Sequence, residues 1–186
     1  MQLSNGQYLM FIRNAYMKKY KGITEDDKPI GGGSYVEETG IAHEAFNFKP
    51  YNNKCYGFFQ MNDNLNFSRL GGSKDDKYVN DILIIIVAPH PKKGNVIVGW
   101  YNHARIYQKN QTYPDNLKRF PNINNYNFVT DKKDCFLVPE GKRIKLFPND
   151  FTNKMRRTFN WYAEDKEDKE IVDRSLNFME RMLIKN

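Results

Sequence analysis

Hydrophobic and polar positions divide the chain into several short apolar runs, one long apolar hairpin and a single helical stripe. The longest run covers 82–89, from Ile82 to Pro89, with no polar residue interrupting it. An unbroken run of this length, rich in β-branched side chains, predicts a strand covered on both faces. The turn signal at 89–94 and a second apolar run at 95–101 make 81–101 a β-hairpin. The return strand ends in the aromatic pair Trp100-Tyr101, polar and basic residues follow up to Tyr107, and 104–108 continues the sheet after a bend. Shorter runs at 8–12, 54–60, 127–129 and 135–138 predict further strands, and 143–147 extends the sheet up to Pro148. Residues 24–34, with Pro29 and Gly31-Gly32-Gly33, and 109–125, rich in Asn and Pro, read as loops. The stretch 14–20 fits helix or loop equally, and 63–69 with 71–73 forms a polar excursion. Near the C-terminus the period changes. Val172, Leu176, Met179 and Leu183 recur at helical spacing, which predicts an amphipathic helix over about 165–184 docked on the sheet.

The expected fold is therefore α+β, one domain over 1–186: a small, mainly antiparallel β-barrel or strongly bent sheet with a C-terminal helix. With 13 Phe and 12 Tyr the chain can fill a core, which excludes disorder. The 29 Lys+Arg exceed the 22 Asp+Glu by enough to give a net charge of +7, which favours an acidic partner such as nucleic acid. Cys55 and Cys135, without a CxxC spacing, read as reduced, buried thiols. The longest apolar run falls far short of the roughly 20 residues that span a bilayer, and no secretory signal is visible. The expectation is a cytoplasmic protein with no membrane partner.

The catalytic motifs that can be sought are absent: no P-loop, GxGxxG, HExxH or GxSxG. His43, His90 and His103 are too scattered to predict a metal site, and no cofactor is expected. Gly31-Gly32-Gly33-Ser34 lacks the Lys-Ser/Thr ending of a nucleotide loop and reads as a tight turn. His43-Glu44 is the single His–carboxylate neighbour pair, but on an extended segment the two side chains would point apart. Glu167-Asp168-Lys169 reads as solvated charge at a helix start. What remains is aromatic residues interleaved with basic and amide ones. Trp100-Tyr101 stands beside Asn102 and Arg105, and Asn160-Trp161-Tyr162 follows Arg156-Arg157. Such clusters stack on nucleobases, while Lys and Arg hold phosphates and amides read base edges. The competing reading is that both tryptophans pack in the core.

Several motifs taken in order resemble N-terminal specificity domains of bacterial modification-dependent, restriction-like proteins. They run from Lys18-Lys19-Tyr20-Lys21-Gly22 through 26–36, with Gly31-Gly32-Gly33-Ser34-Tyr35-Val36, to Gly40, His43-Glu44, Phe46-Asn47-Phe48 and Cys55-Tyr56-Gly57. The series continues through Val96-Ile97-Val98-Gly99-Trp100-Tyr101-Asn102, Ala104 and Tyr107 to Trp161-Tyr162-Ala163. One departure is Met155-Arg156-Arg157-Thr158-Phe159, where a turn containing Gly and Ser is expected. The resemblance implies a PUA-like fold, the superfamily of EVE, YTH, ASCH and SRA domains, several of which capture a flipped base in an aromatic pocket. It implies a non-catalytic reader of double-stranded DNA carrying a modified base, serving a restriction or defence system. An effector nuclease is expected in a fused or associated part. The base pocket expected on this reading comprises Trp100, Tyr101, Asn102, Asn160, Trp161, Tyr162, Ser34, Tyr35 and Asn47. Lys18, Lys19, Arg105, Arg156 and Arg157 would hold phosphates. Two other classes stand beside it: an accessory domain binding a small molecule or protein, and a nucleotide-directed enzyme using His43 and Glu44.

Overall fold

The computed structural model describes residues 1–61, 65–114, 117, 119, 123–146 and 159–184. Its strands are β1 (Tyr8–Arg13), β2 (Lys54–Gly57), β3 (Tyr78–His90), β4 (Gly94–Thr112), β5 (Asn125–Asp131), β6 (Cys135–Leu137) and β7 (Asn160–Trp161). Two α-helices accompany them, α1 (Ser34–Thr39) and α2 (Lys169–Ile184). The strands form one open, mixed sheet of order β2-β5-β4-β3-β1-β7, with β6 also on β4. β1 runs parallel to β3, from Tyr8 opposite Ile82 to Arg13 opposite Val87, and the other pairings are antiparallel. The fold is α+β as expected, but the sheet does not close into a barrel: β2 and β7 remain its edges.

Alternation along the central strands explains why the apolar run is unbroken. Leu9, Phe11, Leu83, Ile85 and Val87 face one core, which α2 covers with Ile171, Val172, Phe178, Met179 and Met182. Met10, Ile12, Ile82, Ile84, Ile86 and Ala88 face a second core, roofed by the irregular segments around Tyr16, Tyr20, Phe46 and Phe59. A strand with helix on one side and loops on the other has no polar face. The buried stripe of α2 includes Ser175, whose hydroxyl donates to Ile171 O at 2.7 Å, so a polar residue satisfied within the helix sits in the core face. The stripe is consequently rotated from the expected one. Leu176 is only partly buried, and Leu183 is 57 % exposed.

β4 carries the sheet's main irregularities. Ile86 faces Gly99 while Val87 faces Ile97, so Val98 is an inserted residue. A Cβ on Gly99 would lie 2.3 Å from Phe136 O and 2.5 Å from Phe48 Cζ, so this crossing tolerates only glycine. Two further breaks flank the Ile82–Ala104 pair, with Asp81 at φ 60° and His103 at φ 48°, and the His103 ring meets the Asp81 carboxylate at 2.6 Å. These breaks curl the sheet, and Asn110 near the end of β4 comes to face the same cavity as Arg13 at the end of β1.

The stretch 14–20 is neither helix nor free loop. Its backbone is tied by side chains: the Asp27 carboxylate accepts from Lys18 N and Lys19 N, Arg143 donates to Met17 O and Lys18 O, and Tyr20 donates to Ala15 O. Cys55 and Cys135 are both free and come together beside Tyr101, where interaction with Cys135 lowers the Cys55 pKa. No helix among the described residues is long and apolar enough to cross a membrane.

Candidate ligand pocket

The first question is where the expected site residues lie. Neighbours on a strand point to opposite faces, and this divides both aromatic pairs. Trp100 is 3 % exposed on the α2 side and stacks on Phe136, centroids 4.4 Å apart and 11° between planes. Tyr101 is fully buried on the other side, and its hydroxyl donates to Asn47 O. Trp161 packs on Phe11 at 4.9 Å, whereas Tyr162 turns inward and accepts from Asn66 N at 2.8 Å. Asn102 accepts from Gln7 Nε2 at 2.9 Å, and the Arg105 guanidinium lies 4.3 Å from the Tyr78 ring while donating to Asn80. These residues do not share one cavity. Arg156 and Arg157 lie outside the described residues.

Two cavities stand out. The larger, about 970 Å³, gathers Asn160, Trp161 and Tyr162 with Asn66, Arg69 and Glu164. Its charges are largely spent on each other. Arg69 donates to Glu164 through Nε at 2.9 Å and lies 4.2 Å from the Tyr162 ring, holding the Glu164 pKa down. One buried polar atom there, Asn160 Oδ1, has no partner.

The second cavity, about 690 Å³, is lined by Arg13, Asn14, the Gly31-Gly32-Gly33-Ser34-Tyr35 loop, His43, Glu44 and Phe58. Four stretches of chain build most of it, joined by Asn110, Asn125 and Phe159. β1 ends at Arg13, Asn14 N donates to Val87 O, and both residues line the cavity where the strand stops. The glycine loop passes over Ala15: a Cβ on Gly32 would sit 2.4 Å from Val36 Cγ2 and 2.9 Å from Ala15 Cβ. A single 3-10 turn, His43–Phe46, brings both His43 and Glu44 to the wall. This differs from the extended geometry expected of that pair. Phe58 is held from behind by Asn47, which accepts from Phe58 N at 2.8 Å and donates to Phe58 O at 3.0 Å. Asn47 is thus a positioning residue behind the wall. Ser34 and Tyr35 are the two expected pocket residues that line it directly.

The wall is aromatic and its polar groups are unspent. The His43 ring lies 5.0 Å from Phe58 and 6.1 Å from Tyr35, which is 51 % exposed at the mouth. Asn14 is 3 % exposed, its Nδ2 donates to Phe58 O at 3.3 Å, and its Oδ1 accepts nothing. An amide oxygen placed against Phe58 O would be repelled by it, so the amide orientation is fixed and the free atom is an acceptor. Arg13 Nε and His43 Nδ1 are likewise buried without partners. Burial lowers the Arg13 pKa, and no charged group among the described residues offsets the desolvation. Burial also lowers the His43 pKa, so its imidazole is neutral near pH 7. Glu44 is pushed upward by burial, opposed by the hydrogen bond its Oε1 accepts from Ala15 N at 2.7 Å. His43 and Glu44 share the wall, but no hydrogen bond joins them.

Each orphaned buried group costs about 1–3 kcal/mol relative to a satisfied one. Three of them belong to residues lining one aromatic-walled cavity, which makes it the candidate ligand site. Sequence reasoning found the glycine loop and missed Arg13-Asn14. Their signal was a polar pair set directly after an apolar strand. Among the described residues no His, Cys, Asp and Glu cluster suits a metal ion. Comparison with models of known families, with curated proteins and with solved structures finds no match for this chain.

Proposed function

We propose that the chain is a non-catalytic reader of a modified base in DNA, and that the base enters the cavity between Tyr35, His43 and Phe58. The observation that carries this reading is the trio of orphaned atoms, Arg13 Nε, Asn14 Oδ1 and His43 Nδ1, around one aromatic-walled pocket. A base edge presents alternating donors and acceptors in a plane. Arg13 only donates, Asn14 Oδ1 only accepts, and neutral His43 does either according to tautomer. The aromatic wall supplies stacking worth about 1–3 kcal/mol per base, enough to offset much of the cost of unstacking. The net charge of +7 supplies long-range attraction to the duplex. The resemblance to PUA-like specificity domains adds to the proposal, because its motif Gly31-Gly32-Gly33-Ser34-Tyr35 forms the pocket rim.

In this reading Trp100, Tyr101, Trp161 and Tyr162 are not the stacking surface. They fix the strands from which the pocket is built. His43 and Glu44 are ligand-contacting groups rather than an acid–base pair, because burial is the influence that shifts His43 and Glu44 does not contribute. The test is anisotropy titration with duplexes differing at one base: unmodified, N6-methyladenine, 5-methylcytosine and 5-hydroxymethylcytosine. Tighter binding to one modified duplex, lost in Asn14→Ala and Tyr35→Ala, is the expected result. Equal affinity for all four, or discrimination unchanged by both substitutions, overturns the pocket assignment.

A further inference from the structure

The glycine rim of the pocket abuts a face of unpaired lysines. Three segments converge there. The Tyr16 ring meets His90 at 4.9 Å, its hydroxyl donates to Glu140 at 3.3 Å, and its backbone pairs with Ile30. Arg143 reaches over Tyr16 and donates to the carbonyls of Met17 and Lys18. The end of β3, just before the hairpin turn, touches the rim itself, since a Cβ on Gly31 would lie 2.9 Å from Pro89 Cγ.

Each segment carries exposed lysines: Lys18 and Lys19 on the first, Lys92 and Lys93 on the hairpin turn, Lys142 beside Arg143. None of the five forms an ion pair among the described residues, which is equally true of Lys74, Lys77 and Lys166, so the face is marked by the convergence of its segments. The nearby acids are partly engaged. Asp27 is bound to the backbone of Lys18 and Lys19, Glu25 to Lys28, and Glu140 to Tyr16. Self-repulsion among unpaired lysines on one face is unfavourable, and a polyanion relieves it.

We propose that this face docks the phosphate backbone of the nucleic acid whose base enters the pocket. The proposal rests on the pocket reading for its choice of polyanion, but its test is separate. The face includes Lys18 and Lys19, two of the residues the sequence offered for phosphates, and leaves out Arg105, which is held against Tyr78. Lys92, Lys93 and Lys142 are the new members.

The test compares two triple variants of equal charge. One is Lys92→Gln, Lys93→Gln and Lys142→Gln on this face. The other is Lys74→Gln, Lys77→Gln and Lys166→Gln, with Lys74 lining the larger cavity. Binding of an unmodified duplex is measured by anisotropy over a range of KCl concentrations. Each lost phosphate contact lowers the slope of log affinity against log salt by about 0.9, so the face variant should lose about 2.7 and the control little. An unchanged slope in the face variant, an equal fall in both, or no duplex binding by the wild type overturns the docking face. Titration with the free nucleosides of the same modified bases separates the two claims. Nucleoside binding retained in the face variant leaves the pocket reading standing whatever the slope does. A face-dependent slope without any base discrimination keeps the face and removes the pocket.

Discussion

A buried asparagine whose removal leaves stability nearly intact is unusual, and Asn14 should behave in that way. Its side chain is 3 % exposed and makes one internal hydrogen bond, from Nδ2 to Phe58 O at 3.3 Å. That carbonyl keeps a better donor, Asn47 Nδ2 at 3.0 Å, after Asn14→Ala. The loss is therefore about 0.5–1 kcal/mol, while removing the orphaned Oδ1 returns part of a desolvation cost of about 1–3 kcal/mol. The two oppose each other, and the variant should unfold within about 1 kcal/mol of the wild type in urea. In the ligand complex Oδ1 accepts a hydrogen bond in a desolvated site, so affinity for the preferred duplex should fall by about 1–3 kcal/mol, roughly 5- to 150-fold. Urea denaturation and anisotropy titration on the same preparation give both numbers. A destabilisation above about 3 kcal/mol with unchanged binding would refute the reasoning, since it would make Asn14 a core residue.

Asn47→Ala should show the opposite profile, losing about 2–4 kcal/mol in urea because two hydrogen bonds to Phe58 break and the Phe58 N–H is left buried. Trp100→Ala should cost about 3–5 kcal/mol through the hole opened beside Phe136 and α2, while the folded fraction keeps its base discrimination. Stability against pH should separate the two wall groups. His43 has a folded pKa below its ordinary 6.5, so its contribution is present above 6.5 and is lost as pH falls toward the folded value. Glu44 has a folded pKa above its ordinary 4.5, so its contribution is present below 4.5 and is lost as pH rises toward the folded value. The wild type minus His43→Gln difference should therefore rise with pH up to 6.5, and the wild type minus Glu44→Gln difference should fall above 4.5. Flat differences in urea melts between pH 4 and 8 would show that neither group is enclosed.

The sheet was legible in the sequence because its central strands are apolar on both faces and its hairpin is punctuated by Pro89, Pro91 and Gly94. The C-terminal helix was legible from its period, though Ser175 hid the true phase of the buried stripe. The site was harder to read for a physical reason. Trp100-Tyr101 and Asn160-Trp161-Tyr162 stand out as clusters along the chain, but alternation on a strand sends neighbours to opposite faces, where ordinary packing takes them. The pocket draws on residues from 13 to 159, and no local pattern announces that a curled sheet brings Arg13, Tyr35, His43, Phe58 and Asn110 to one wall. Of the expected pocket residues, Ser34 and Tyr35 line it, because the glycine loop that carries them packs closely over Ala15 and Pro89 at the rim. His43-Glu44 looked divergent on the assumption of an extended backbone, which the 3-10 turn replaces.

The central claim is that ligand enters beside Asn14 rather than beside Trp161, and side-chain NMR decides between them directly. In a 15N-labelled sample, the Asn14 side-chain amide and the His43 imidazole report on one cavity, and the Asn160 amide and the Trp161 indole on the other. Addition of the most tightly bound modified duplex should shift the first pair strongly and leave the second pair in place. Shifts confined to Asn160 and Trp161 would contradict the assignment and move the site to the larger cavity.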